Sequence, residues 1–381
     1  MMDRSLEGRL GPAGYRMIEE LTIQNFRCFE TLKLKNLRRI NIIVGRNAVG
    51  KTALLEALRM NAGGTPAIAN WLNQVRGIQS FFLPNMSREQ FESLWNHFFF
   101  KRENTRHIII ASRDSAHFDR SVEIFFDPSQ AITQTGPTTI PQGAEATAIQ
   151  RIIPPTVIVP LVFVRSSPAI TGPPLKATVL PNGQPVLEPG PELGPTTAVM
   201  GAIVGYQPQD SSAWFGQLIT QNRESEILEL VQREYPEVKA LAVVPNPLGP
   251  ASIWVTVPYL RDKEPLALLS AGINKFVTLV LAAHIYKDGL LLIDEIENGS
   301  YFDRLSSLWA ALHRVTKESN SQVFVTTHSL ECLKAALNTI REDENDFSLI
   351  RIKRTNGDST AKQLAGRDMI SAIEEGVEIR G

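Results

Sequence analysis

An apolar run, Ile40-Asn41-Ile42-Ile43-Val44, leads directly into Gly45-Arg46-Asn47-Ala48-Val49-Gly50-Lys51-Thr52 and then into Ala53-Leu54-Leu55-Glu56-Ala57-Leu58. The eight central residues satisfy G-x-x-x-x-G-K-[ST] in full, between a strand and a helix as the motif requires. Gly45 and Gly50 allow backbone angles and a close approach that a side chain would block. Loop amides and the amino-terminal end of the helix then face an anion, which the helix dipole favours. In such a loop Lys51 reaches the β- and γ-phosphates of a nucleotide, and the Thr52 hydroxyl is placed to ligate Mg2+. The competing reading is a glycine turn that happens to contain Lys-Thr. The flanking strand and helix favour the phosphate loop, and with it an α/β fold.

A second element supplies carboxylates. Leu290-Leu291-Leu292-Ile293 is an apolar run that ends in Asp294-Glu295. A buried parallel strand delivers its last residues to the carboxyl edge of the sheet, where open α/β sheets bind ligands. There Asp294 can hold Mg2+, and Glu295 can orient and deprotonate a water for attack on a phosphoryl group. A solvated acidic turn is the alternative. A third strand, Gln322 to Thr326, runs into Thr327-His328-Ser329. His328 there either senses a γ-phosphate or is a surface histidine near a helix start.

Between these ends the texture changes. Fourteen of the 24 prolines fall between Pro128 and Pro195, interleaved with glycine and threonine. Such density argues against long helices and central strands, so residues 127–265 are expected to form a loop-rich insertion with extended segments. Order returns with one predicted helix from about Ala213 to Glu234, followed by short strands near Val238–Val244 and Ser252–Val257. Residues 17–126 and 266–381 are expected to be the two lobes of one split nucleotide-binding domain, and residues 1–16 a loose extension. In the second lobe predicted helices and strands alternate, which argues for a mostly parallel sheet covered on both faces.

These motifs together carry a resemblance. Ile23-Gln24-Asn25-Phe26-Arg27-Cys28-Phe29, Asn41-Ile42-Ile43-Val44-Gly45-Arg46-Asn47 and Ile293-Asp294-Glu295-Ile296-Glu297-Asn298-Gly299 resemble stand-alone RecF-like and OLD-like ATPases. These belong to the ABC/SMC-head class of P-loop NTPases, often described broadly as AAA proteins. The 243 positions between Lys51 and Asp294 fit that class better than compact AAA+ motors. The resemblance implies a mostly parallel central sheet with an antiparallel β portion, ATP and Mg2+ as ligands, and a homodimer that sandwiches nucleotide between its heads. It assigns catalysis to Lys51, Glu295 and His328, Mg2+ to Thr52 and Asp294, and nucleotide contacts to Gly45 through Thr52. Leu269-Ser270-Ala271-Gly272-Ile273 resembles the class's signature at Leu269, Ser270 and Gly272, so Ser270 and Gly272 are assigned to a partner's nucleotide. It departs at Ala271 and Ile273. A serine-capped helix start is the alternative reading of that segment.

Trp214 to Val238 and the closing Val377-Glu378-Ile379-Arg380 extend the resemblance. Gly299-Ser300-Tyr301 departs from relatives that carry a histidine there. The class's glutamine loop is not placed by Gln130, Gln134, Gln142 or Gln150. Only 53 residues follow His328, too few for the nuclease domain of OLD proteins beyond what completes the sheet.

Arg27 could reach the nucleotide from the first strand, or be an exposed strand-end arginine. His97, His107 and His117 are evenly spaced but lack partner cysteines, which argues against zinc. Glu342 to Asp346 reads as a solvated helix end.

Composition narrows the setting. A formal net charge of −1 with two cysteines, Cys28 and Cys332, excludes a disulfide scaffold and a globally basic nucleic-acid coat. A cytoplasmic setting fits, and no apolar run reaches the roughly 18–20 residues of a membrane helix. Three functions then compete: an ATP-hydrolysing head dimer in a prokaryotic defence, antiviral or DNA-transaction system, a nucleotide-gated scaffold that holds a partner effector protein, and a RecF-like DNA repair ATPase.

Overall fold

The computed structural model describes residues 17–78, 86–134, 156–168, 170, 172–180, 185–200, 208–246, 249–299 and 302–376. Two sheets dominate. One has six strands in the order Thr197–Met200, Leu290–Ile293, Gln322–Thr327, Ile40–Val44, Phe347–Thr355, Asp358–Ala365. Its first five strands are mutually parallel and the last is antiparallel. The other sheet is antiparallel, with seven strands running from Pro185–Leu187 through Leu175–Val179, Leu161–Ser166, Asp119–Phe126, Ile108–Asp114 and Ile18–Phe26 to Phe29–Leu34. The chain is thus an α/β fold with a mostly parallel central sheet and an antiparallel β portion.

Side-chain alternation builds the core. Successive residues of a strand point to opposite faces, so a strand buried on both sides feeds two cores. Ile40, Ile42, Val44, Leu291, Ile293, Val323 and Val325 pack on one face with Val277, Leu281, Trp309, Leu312 and Leu333 from covering helices. Ile43, Leu290, Leu292 and Phe324 pack on the other face, against Leu54 and Leu58 of the phosphate-loop helix and Ile23 and Phe26 of the antiparallel sheet. That helix, Lys51–Gly63, is therefore clamped between the two sheets, with Leu54 and Leu58 fully buried. Each such leucine contributes about 1.5–3 kcal/mol of hydrophobic stabilisation. Its start, and with it the phosphate loop, is held from both sides.

Two expectations are corrected, and one element was not foreseen. The proline-dense region yields an interior strand: Leu161–Ser166 pairs with Asp119–Phe126 on one side and Leu175–Val179 on the other. Pro160 precedes one of these strands and Pro173 and Pro174 precede the next, leaving their interior N–H groups free to pair, while Pro185 opens the edge strand, where a proline is tolerated. Thr197–Met200 also joins the parallel sheet, beside Leu290–Ile293. The single helix expected over Ala213–Glu234 is two helices, Pro208–Thr220 and Glu224–Glu234, broken where Asn222 takes the left-handed φ of 56°. Asparagine is one of the few residues that tolerates that region, and the turn it makes separates the helices. Finally, the strand hairpin Phe347–Thr355 and Asp358–Ala365, absent from the sequence reading, extends the sheet beyond Ile40–Val44.

Residues 1–16, Gln142, Gln150, Ser300, Tyr301 and Val377 to Arg380 lie outside the described residues. Among the described residues no helix is long and apolar enough to cross a membrane.

Candidate functional site

Strand order brings the motifs together. Gln322–Thr327 lies between Leu290–Ile293 and Ile40–Val44, all parallel, so Asp294, His328 and the phosphate loop leave the sheet at the same edge. Within the loop Gly45 has φ 148° and Gly50 φ 112°. A Cβ at Gly45 would collide with the Ile352 carbonyl, and one at Gly50 with Cys28 Sγ. Both positions therefore require glycine. Ala48 also takes a left-handed φ, 62°, which closes the loop over the helix start.

Lys51 folds back across its own loop. Its Nζ donates to Gly45 O at 2.8 Å and Arg46 O at 3.1 Å. Burial holds the ammonium below its ordinary pKa, while Asp294, Glu295 and Glu297 push the other way.

The loop and the acidic strand end touch directly. Thr52 Oγ1 donates to Asp294 Oδ2 at 2.9 Å, and Thr326 Oγ1 donates to Asp294 Oδ1 at 2.5 Å. The Thr326 hydroxyl in turn accepts the Glu295 amide at 2.8 Å. A convergence of hydroxyl and carboxylate oxygens at a sheet edge suits a hard divalent cation such as Mg2+, which prefers oxygen donors. Glu295 itself has φ 53°, an uncommon conformation for a residue with this side chain. Its Oε2 accepts a hydrogen bond from Asn298 Nδ2, and its Oε1 lies 3.8 Å from His328 Nδ1. His328 sits closer to Glu297, with Nδ1 3.0 Å from Oε1 and its amide donating to the same oxygen at 2.9 Å.

A cleft of about 380 Å³ opens along this edge, lined by Asn47, Lys51, Thr52, Asp294 and Glu295 with Arg27, Cys28 and Arg76. Arg27 is not an exposed strand-end arginine: only 11% of its side chain is accessible. Its Nε pairs with Glu56 Oε2 at 2.9 Å, and its guanidinium lies 4.5 Å from the Phe98 ring centroid. Burial lowers its pKa to about 10 against the opposing pull of Glu56. Arg76 Nε holds the other Glu56 oxygen at 2.5 Å. Two guanidiniums on one carboxylate leave net positive charge on the cleft wall, which suits a phosphate-bearing ligand.

Ser270 and Gly272 do not line this cleft. Ser270 caps the helix Ala271–Ile285 with extended φ and ψ, and its side chain makes no capping hydrogen bond. Gly272 instead faces Tyr235 and the Gly299 carbonyl. The remaining candidates disperse. His97 is half-buried against Phe98, its pKa lowered to about 3 by desolvation and nearby arginines, and His107 pairs with Glu123. Gln130 donates to Asp127 at 2.6 Å, and Gln134 sits on a short strand. Asp343 and Asp346 approach His313, but Lys317 and Arg39 occupy the same carboxylates.

Several site residues escaped the sequence reading. Thr326 carries a signal, as a hydroxyl at the end of the strand that leads to His328. Glu56 and Arg76 carry none, because a buried carboxylate in a leucine-rich helix is legible only once its partners are known.

A family model described as "AAA ATPase domain" matches residues 17–70, and one described as "AAA domain, putative AbiEii toxin, Type IV TA system" matches residues 210–333. The chain is 22% identical to an ATP/GTP phosphatase of Helicobacter pylori over 351 residues, covering 86% of this chain and 90% of that protein. It is 52% identical over 44 residues to an uncharacterized protein of Methanocaldococcus jannaschii, covering 12% of this chain and 20% of that one. Among solved structures it is similar to the SMC head domain from Thermotoga maritima, at 13% identity and a TM-score of 0.45, covering 91% of this chain and 98% of that one. An Smc head bound to the C-terminal domain of ScpA, derived from Pyrococcus furiosus, gives 13% identity and a TM-score of 0.46, covering 94% and 99%. The family models, the phosphatase relative and the phosphate-loop geometry support a P-loop ATPase.

Proposed function

We propose that the chain binds ATP with Mg2+ in the Gly45–Thr52 loop and hydrolyses it, as a RecF-like or OLD-like head. The observation that carries this reading is the chain of contacts from Thr52 through Asp294 to Thr326, which presents Glu295 at the same edge. Loop amides and Lys51 Nζ bind the phosphates, the ammonium exchanging its carbonyl partners Gly45 O and Arg46 O for phosphate oxygens. Thr52 Oγ1 and Asp294 Oδ2 would hold Mg2+, which when bound supplies charge neutralisation at the β- and γ-phosphates. Glu295 orients a water and takes its proton at a carboxylate oxygen, steadied by Asn298. His328, anchored to Glu297, senses the γ-phosphate.

The functional unit in this reading is a homodimer. Ser270 and Gly272 stand away from the cleft of their own chain, with a hydroxyl unused in capping, and close over the nucleotide of the other protomer. ATP binding favours the closed state because those contacts exist only there, and hydrolysis releases it. Residues 17–126 and 266–381 form the ATPase lobes, and 127–265 supplies strands to both sheets.

The match of residues 210–333 to a toxin–antitoxin description favours a defence setting. It also supports a second reading, in which the head is a nucleotide-gated scaffold that holds an effector protein. Sedimentation of Glu295→Gln with and without ATP tests the first reading. It is expected to show an ATP-dependent dimer, while Lys51→Ala is expected to lose ATP binding. ATP binding by Lys51→Ala at the affinity of the unaltered chain overturns the site, and a monomer at saturating ATP overturns the sandwich.

A further inference from the structure

We propose that Lys275 is a positioning residue for Glu295, tying the general base to the helix that begins at Ser270. The inference rests on the hydrolytic reading of the site above. Lys275 lies in the second turn of the helix Ala271–Ile285, and its ammonium donates to Glu295 O at 3.0 Å, Ile296 O at 2.6 Å and Asn298 O at 2.7 Å. An ammonium has three donors, and this one spends all of them on main-chain carbonyls of a single turn. No carboxylate of the described residues lies within ion-pair distance of it.

A half-buried ammonium whose carboxylate neighbours, Glu297 and Glu295, act on it only from beyond contact distance is costly to desolvate, and satisfying it with three carbonyls fixes where those carbonyls can be. The turn they belong to needs such a restraint. Glu295 sits at φ 53°, which persists only where the surroundings over-determine it. A cavity of about 320 Å³ borders the turn, lined by Met200, Asn274, Lys275, Thr278, Ile293 and Glu295. Ile296 anchors the middle of the turn in the core and Thr326 Oγ1 holds the Glu295 amide, while the Lys275 ammonium holds the turn's carbonyls.

The same lysine gives the base a mechanical link. Ser270 and Gly272 open the helix that carries Lys275, and Ala271 packs on Gly299 at the end of the held turn. A shift of that helix end, such as a partner nucleotide binding at Ser270 would cause, moves three carbonyls of the Glu295 turn with it. Lys275 thus acts through Glu295 and does not touch the reacting atoms.

Steady-state ATP hydrolysis by the full chain tests this, comparing Lys275→Met and Lys275→Arg with the unaltered protein and with Glu295→Gln. A misplacement of about 1 Å at a base costs on the order of 100-fold in rate. Lys275→Met is therefore expected to lower kcat about 100-fold with KM for ATP within about twofold, and Lys275→Arg to recover most of that loss. A kcat for Lys275→Met within about twofold of the unaltered chain, or a KM that rises in step with the fall in kcat, overturns the proposal. Should Lys275→Met not fold, Lys275→Arg decides: near-normal kcat supports the tie, and loss equal to that of Glu295→Gln with unchanged ATP affinity contradicts it. Full activity in Glu295→Gln would instead overturn the assignment of the base itself, a separate failure.

Discussion

Thr52 and Asp294 stand 242 positions apart in the chain, yet the threonine hydroxyl donates to the aspartate Oδ2 at 2.9 Å. That bond joins the start of the phosphate-loop helix to the end of the Leu290–Ile293 strand, and Thr326 holds the other oxygen of the same carboxylate. The site is a junction of three parallel strands.

Replacing the carboxylate isolates its role. Asp294→Asn keeps the size of the side chain and removes its charge, so ATP turnover is expected to fall by about 100-fold or more, in the range seen when one charge-stabilising group is lost. Phosphate release across a Mg2+ titration measures it. An unchanged rate and Mg2+ dependence would sink the ligand assignment.

The glycine at the helix start is a second point of attack. Gly50→Ala places a Cβ into Cys28 Sγ at a φ of 112°. Strain of that kind costs about 1–3 kcal/mol, and relieving it moves the loop amides away from the phosphates. ATP affinity is expected to drop at least about tenfold with a lowered melting temperature. Retention of both would show that the loop tolerates a side chain.

How much of this was legible depends on range. The loop from Gly45 to Thr52, its flanking strand and helix, and the acids after Ile293 could be read because their chemistry is written in consecutive residues. Residues that act through partners far away in sequence could not. Glu56 looks like one more helix former until Arg27 and Arg76 meet it, and Lys275 looks like a solvated lysine until its three carbonyls are seen. Proline density misled for a different reason. It measures what a segment cannot do at each proline, whereas Leu161–Ser166 is a short interval between prolines that is free to pair on both edges. The helix break at Asn222 rests on one residue's tolerance of positive φ, which periodicity does not register.

The thiols report on the cleft. Burial pushes Cys332 up to about 12, and it is fully enclosed, whereas Cys28 is half-buried and lines the cleft beside Gly50. Burial also raises Cys28, so its reaction is slower than that of a free thiol. Maleimide at pH 8 is expected to modify Cys28 first, and ATP to slow it. Equal labelling of both, or no protection by ATP, contradicts the placement of nucleotide there.

Acid stability tests the cluster behind the sheet. Asp346 has its pKa lowered, first by its hydrogen bond with His313 and then by Arg39, His313 and Lys317. A carboxyl whose folded-state pKa is depressed adds stability above its unfolded value near 3.8 and loses it as pH falls through the folded value. Asp346→Asn is therefore expected to destabilise the chain by about 1 kcal/mol at pH 7, a size suited to a partly exposed, hydrogen-bonded pair. In thermal melts that difference should vanish as pH falls well below 3.8, and a difference that persists there would contradict the assignment.

The central claim is that Glu295 activates water at a nucleotide held by Lys51 and Thr52. A single-turnover measurement of ATP hydrolysis by Glu295→Gln, with ATP binding followed in the same sample, tests it most directly. The account predicts binding close to that of the unaltered chain and a chemical step slowed by about 100- to 10,000-fold, the usual worth of a general base. Hydrolysis at the unaltered rate would contradict it.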